Sequence, residues 1–185
     1  MRLFVALELP APLQTDLGRI GKSLDEHGSH ARWVRPVAIH LTLKFLGEVD
    51  PSQVGLITDA LMGVRANRLD LRIRGVGFFP SSDAPRVLWA GVQDEGIGRL
   101  ASIVDGTMTD FGFPPEGRAF HPHLTLARAP RKGTIGRTVV EAAERLEETD
   151  FGSFSTRSFV LYRSYLDEAG ARYAKIADFV FDPGP

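Results

Sequence analysis

The sequence predicts interleaved helices and strands arranged as two pseudo-symmetric β-α-β-α-β repeats about a shared cleft. Three observations carry that prediction: apolar stripes at helical spacing alternate with β-rich runs, the order of these elements repeats, and the strongest motif of the chain is duplicated. That motif is His40-Leu41-Thr42-Leu43, which returns as His123-Leu124-Thr125-Leu126 at an offset of 83 residues. Two such units related by a pseudo-twofold axis bury their helices on sheet and bring the two His-strands face to face.

Taken in order, residues 3–7 form an apolar strand run, and after Pro10 the residues Leu13, Leu17, Ile20 and Leu24 share one helical face. Residues 39–46 alternate as a strand. Asp50-Pro51 then supplies a helix N-cap and a first-turn proline to a second stripe of Val54, Ile57, Leu61 and Val64. Residues 69–75 are a third strand; Gly75, Gly77 and Phe78-Phe79-Pro80-Ser81-Ser82-Asp83 have turn chemistry and read as the crossover. A single domain spanning 1–185, with halves of about 1–80 and 81–185, is expected.

The second half repeats the order, with a strand at 86–92 and a helix striped by Ile97, Leu100, Val104, Met108 and Phe111 and stopped by Gly112. A strand at 123–127, a weaker helix through Val139, Ala143 and Leu146, and strands at 154–162 and 172–180 complete it. Arg2-Leu3-Phe4-Val5-Ala6 matches Arg86-Val87-Leu88-Trp89-Ala90 at an offset of 84, which also carries Leu13, Ile20 and Leu24 onto Ile97, Val104 and Met108.

The composition narrows the function classes. With 185 residues and 12 Phe the chain can bury a sizeable core, which removes disorder as its theme. A formal net charge of −1 argues against coating of duplex nucleic acid, so contact with a nucleic acid is expected to be local, and the near-neutral chain points to a monomer. The absence of cysteine excludes disulfides, thiolate zinc sites, iron-sulfur clusters and a cysteine nucleophile, and fits the cytoplasm. No stretch approaches 18 apolar residues, so no membrane partner is expected. The glycine-containing stretch at 91–98 lacks both the Walker ending and the dinucleotide spacing.

Strand alternation sends His40, Thr42 and Lys44 to one face and Ile39, Leu41, Leu43 and Phe45 to the other; in the second copy His121, His123 and Thr125 oppose Leu124 and Leu126. Two imidazoles across a cleft suit paired acid-base work, because a ring that titrates near pH 6.5 serves as base when neutral and as acid when protonated. Phosphodiester cleavage uses that division of labour, and two Thr hydroxyls can hydrogen-bond the nonbridging oxygens. His121 and His123 share a strand face, yet no third ligand is indicated, so no metal or other cofactor is expected.

These paired motifs resemble those of the two-histidine (2H) phosphoesterase superfamily. Arg2-Leu3-Phe4-Val5-Ala6-Leu7, Trp33-Val34, His40 through Val49 and Pro122 through Arg128 resemble, more narrowly, the RNA 2′,3′-cyclic phosphodiesterases, also called 2′-5′ RNA ligase-like proteins. The resemblance implies a bilobal α+β fold with antiparallel sheets facing the cleft. It also implies metal-free hydrolysis of a terminal RNA 2′,3′-cyclic phosphate, tRNA fragments included, to a 2′-phosphomonoester, with 2′-5′ ligation as the reverse reaction. By position, His40 is the general acid, His123 the general base, and Thr42 and Thr125 hold the phosphate.

The resemblance further implies that Phe45 and Arg128, each five residues after its His, flank the terminal base. Strict alternation sends both to the far face, so either the strands bulge before them or they serve core and surface. Two basic clusters, Arg65, Arg68, Arg72 and Arg74, and then Arg128, Arg131, Lys132 and Arg137, are candidates for upstream phosphates, the first more readily read as a solvated face. Trp33 reads as a base platform or a core residue, His121 as a supporting or exposed residue, and His27 and His30 as surface; Tyr162, Tyr165 and Tyr173 are candidate donors. Competing functions are a phosphodiesterase for small cyclic nucleotides or 2′-5′ oligonucleotides, and a binding module without turnover.

Overall fold

The computed structural model describes residues 1–28, 30–167 and 170–181. The elements run β1 (Arg2–Glu8), α1 (Ala11–Asp25), β2 (Arg32–Trp33), β3 (His40–Glu48), α2 (Val54–Met62), β4 (Leu69–Phe79), β5 (Val87–Gln93), α3 (Ile97–Thr109), β6 (His123–Arg128), α4 (Arg137–Glu144), β7 (Asp150–Thr156), β8 (Ser158–Asp167) and β9 (Gly170–Val180). The helices form where the stripes predict but end sooner, with Val64, Phe111 and Leu146 lying just beyond α2, α3 and α4. Leu13, Leu17 and Leu24 of α1 are buried, each contributing about 1.5–3 kcal/mol of apolar transfer. Asp50 accepts from the Ser52 backbone N–H at 2.8 Å, capping the short 3₁₀ turn that leads into α2. Asp94 does the same for the N–H groups of Gly96 and Ile97 at the start of α3. Gly112, at φ 83°, follows α3 in the left-handed conformation that closes a helix. Among the described residues, no helix is long and apolar enough to cross a membrane.

All strand pairings are antiparallel, in the order β7-β4-β5-β6-β3-β1-β8-β9, with β2 added beside β6. The expected two sheets are therefore two four-stranded lobes of one sheet, joined between β3 and β6 by the single bridge Leu41↔Leu124. The pseudo-twofold axis passes through that bridge. Helices α2 and α3 pack toward the lobe of β3, β1, β8 and β9, and α1 and α4 toward the lobe of β6, β5, β4 and β7.

The lobes are not the sequence halves. β4, the last strand of the first repeat, pairs with β5 of the second, and β8 of the second repeat pairs with β1 of the first. Residues 76–79, expected in a crossover, thus extend β4 into a hairpin with β5. Similarly, the single strand expected at 154–162 is two strands, β7 in one lobe and β8 in the other, divided at Arg157 where the chain changes lobes. Gly77 allows the hairpin to close, since a Cβ there would fall 2.2 Å from the Trp89 ring.

Candidate active site

His40 and His123 are the first residues of β3 and β6, next to the bridge that joins the lobes. Continuing the antiparallel register by one residue sets His40 across from Thr125 and Thr42 across from His123. Both rings are held by the same device. His40 Nδ1 lies 2.8 Å from the Ala38 carbonyl, and His123 Nδ1 lies 2.7 Å from the His121 carbonyl, each two residues upstream. A carbonyl only accepts, so Nδ1 carries the hydrogen in both rings and Nε2 is the nitrogen left without that hydrogen bond. Among the described residues, neither Thr42 nor Thr125 spends its hydroxyl on a protein partner.

Each strand carries the same bulge just past its motif. On β3, Ala6 pairs with Thr42 but Val5 with Lys44, leaving Leu43 as an extra residue; on β6, Trp89 pairs with Thr125 but Leu88 with Ala127, leaving Leu126 extra. The bulge reverses the parity of the strand. Lys44, expected beside His40 and Thr42, instead turns inward and is only 6% exposed, with Nζ 2.5 Å from Asp105 and 2.6 Å from the Pro114 carbonyl. Phe45 is brought onto the face of His40 and Thr42, 61% exposed, and Arg128 onto the face of His123 and Thr125. The reading of Phe45 as a core aromatic is thereby corrected.

Register also corrects the repeat. The 84-residue offset for β1 would place Phe4 on Leu88, but Leu88 belongs to the main core while Phe4, also buried, packs in a separate cluster against the His40 ring. With the 83-residue offset of the His motifs, Phe4, Ala6 and Glu8 match Val87, Trp89 and Gly91 in face and in cross-strand partner. The exchanged strands obey it too, Gly77 and Phe79 standing to β5 as Val160 and Tyr162 stand to β1. The extra residue of the helical offset lies in the strand-to-helix loops.

The walls differ. Phe4 tilts against the His40 ring at 4.8 Å between centroids, and Tyr173 from β9 meets it edge-on at 5.0 Å. His123 has Phe79 at 5.0 Å, and His121 stands 6.3 Å away with Trp89 beneath it. Burial pushes His40 down to about 4, against the opposing pull of the Ala38 carbonyl, with Arg128 and His123 adding repulsion. Burial lowers His123 as well, again against its carbonyl, with repulsion from His121 and Arg128. Burial thus favours the neutral form of both rings. Burial lowers Arg128 too. Among the described residues, no group of three His, Asp or Glu converges as metal ligands.

Tyr162 donates its hydroxyl to Glu8 at 3.1 Å, whose other oxygen is 2.7 Å from Lys175. Tyr165 lies under Arg163, whose guanidinium carbon is 4.5 Å from the ring centroid. Of the three tyrosines, Tyr173 is the one in contact with a motif histidine. Trp33 packs on the core and donates to Asp25 at 2.6 Å, and His27 and His30 are exposed. Much of the basic clusters is spent on carboxylates: Arg68 with Asp70, Arg72 with Asp150, Arg74 with Glu148 and Arg137 with Glu141. Sequence reasoning missed Phe4, Phe79 and Trp89 as cleft walls; the signal was their strand parity once the offset is set at 83.

The profile of the family described as LigT like Phosphoesterase matches the chain twice, over residues 7–89 and 91–173. An RNA 2′,3′-cyclic phosphodiesterase of Aeropyrum pernix is 34% identical over 85% of this chain and 90% of its own. One of Archaeoglobus fulgidus is 33% identical over 97% of this chain and 99% of its own. Among solved structures, E. coli LigT complexed with 3′-AMP superposes with a TM-score of 0.78 at 26% identity, covering 98% of both chains. A protein of Thermus thermophilus superposes with 0.79 at 28% identity, covering 99% of both.

Proposed function

The chain belongs to the LigT-like phosphoesterase family, and from that premise we propose that it hydrolyses the terminal 2′,3′-cyclic phosphate of RNA to a 2′-phosphomonoester, as a monomer and without a metal ion. The observation that carries the reading is the pair of His-x-Thr faces meeting at the Leu41↔Leu124 bridge, each imidazole held by Nδ1 with Nε2 left over. Two such nitrogens on opposite sides of one phosphorus fit an in-line displacement.

In that displacement His123 takes a proton from water as the water oxygen bonds to phosphorus. The bond from phosphorus to the 3′ oxygen breaks, and His40 supplies the proton to that oxygen, leaving the phosphate on the 2′ oxygen. Thr42 and Thr125 donate to the nonbridging oxygens, where negative charge is held, and Arg128 adds a cation. Burial disfavours the charged form of both rings, and the anionic phosphate opposes that by favouring protonation of the acid, whose proton is taken up from solvent as the substrate binds. With the 5′ hydroxyl of a second RNA in place of water, the same proton transfers open the cyclic phosphate into a 2′-5′ linkage, the 3′ oxygen again leaving with a proton from His40. Phe45 and Arg128, on the cleft face beyond the two Thr, flank the terminal base.

Incubating the protein with an RNA ending in a 2′,3′-cyclic phosphate in excess EDTA, and reading the phosphate position by phosphorus NMR, tests this. The expected product is the 2′-phosphate. A 3′-phosphate product, or turnover that EDTA abolishes, overturns the mechanism, and no turnover of RNA alongside hydrolysis of small cyclic nucleotides replaces the substrate.

A further inference from the structure

A cyclic phosphate is confined to the last nucleotide, whereas the cationic surface beside this cleft extends past it. Arg32 on β2 stands opposite Arg128 on β6. Arg2 shares the face of Phe4 on β1 and stands opposite Ser164, which in turn stands opposite Tyr173 on β9. Arg35, between β2 and β3, donates Nη2 to the Ala171 carbonyl at 2.8 Å and so reaches across to β9 next to Tyr173. Four arginines distant in sequence thus gather around one end of the cleft, and each is exposed.

Among the described residues none of Arg2, Arg32 and Arg35 has a carboxylate partner, in contrast to the ion-paired Arg68, Arg72, Arg74 and Arg137. Glu48, opposite Arg2 in the sheet, instead lies 3.5 Å from the N-terminal amine. The repulsion is felt within the group, since Arg32 and Arg2 both push the Arg128 guanidinium down. Like charges gathered without a protein counter-charge repel one another, and an anionic ligand relieves that repulsion. Aromatic faces beside them, those of the exposed Phe45 and the part-exposed Tyr173, both packed on the buried Phe4, complete the combination of basic track and stacking platform that holds a single strand.

We propose that Arg2, Arg32 and Arg35 form the track for the RNA strand 5′ of the cyclic phosphate, three residues that set the preference for a long strand and take no part in the proton transfers. The inference rests on the phosphodiesterase reading above. Arg128 belongs to the site itself, and the other three act on the strand alone.

The test compares kcat/KM for a nucleoside 2′,3′-cyclic phosphate and for a short RNA ending in the same nucleotide, between about 50 and 200 mM salt. The wild-type protein is expected to favour the RNA, with the steeper salt dependence. The R2Q/R32Q/R35Q variant is expected to lose about tenfold on the RNA, its log-log salt slope flattening by about 0.7 for each phosphate contact removed, with the mononucleotide unchanged. R2K/R32K/R35K should keep the slope, because a point charge suffices for this contact. Unchanged RNA turnover and slope in the glutamine variant, or equal losses on both substrates, overturn the track. Wild-type protein that turns over neither substrate overturns the phosphodiesterase reading itself, an outcome distinguishable from the other two.

Discussion

Around His123 the chain places Trp89, Phe79 and His121; at the equivalent positions around His40 it places Ala6, Tyr162 and Ala38. Beyond the bulges, Arg128 answers to Phe45 and Ala127 to Lys44. The main-chain features are common to both sites: the first position of the strand, the carbonyl two residues upstream on Nδ1, and one extra leucine after the Thr. Duplication has kept what aims the imidazoles and changed what surrounds them. Aim is a matter of backbone geometry, and ease of protonation is a matter of neighbours, so a symmetric frame can carry two unequal proton-transfer groups.

The sharpest way to break the comparison is to remove each imidazole in turn. H40A and H123A are each expected to lower kcat/KM by about 10²–10⁴-fold. The two losses should differ in kind: with sulfur in place of the 3′ bridging oxygen, a thiolate leaves without needing a proton, so H40A recovers activity and H123A does not. Steady-state rates on the oxygen and sulfur substrates check this, and recovery of H123A alone would exchange the roles.

A smaller effect is expected where the two sites differ most visibly. F45A and R128A should each raise KM by about tenfold through loss of base stacking, with the double variant losing little more than either, since a sandwich needs both sides. R128K, which keeps the charge but not the planar face, should resemble R128A in KM on a mononucleotide. Additive losses, or a fully active R128K, would assign the two residues to separate contacts.

A separate effect concerns stability. His40 is held at about 4 in the folded chain, below its usual 6.5, so the unfolded chain binds the extra proton between those values. Stability fully present above pH 6.5 is therefore lost as the pH falls toward 4. Urea unfolding at several pH values should show wild-type protein weakening over that window, and H40Q should weaken less; equal slopes would mean that the ring is not held neutral by its burial.

The helical stripes made α1 and α3 legible from Leu13, Leu17 and Leu24 and from Ile97, Leu100, Val104 and Met108, and the repeated tetrapeptide made the two His-strands legible. The inward turn of Lys44 was not, because a bulge depends on the pairing of two strands, and leucine is equally at home paired or extra. The exchange of β4 and β8 was hidden for a related reason: local pattern marks a strand but carries no label for its partner. Arg2, Arg32 and Arg35 form no run in the sequence, because the sheet assembles their charge from separate strands and loops. The expected basic run from Arg65 to Arg74 turned out to be mostly neutralised by acids on β4 and β7 and in the loop between α4 and β7.

The exchange of β4 and β8 bears on how such a molecule could have come about. A polypeptide of the first repeat alone has no lobe of its own, since its last strand, β4, finds both its neighbours, β5 and β7, in the second repeat. It could complete its sheet only by associating with a second copy, and that assembly would be a twofold dimer whose two histidines are identical by necessity. Joining the copies in one polypeptide lifts that necessity. Glycine can then stand at 91 where glutamate stands at 8, and arginine at 128 where phenylalanine stands at 45. Division of labour between two proton carriers becomes available to inheritance only after the fusion.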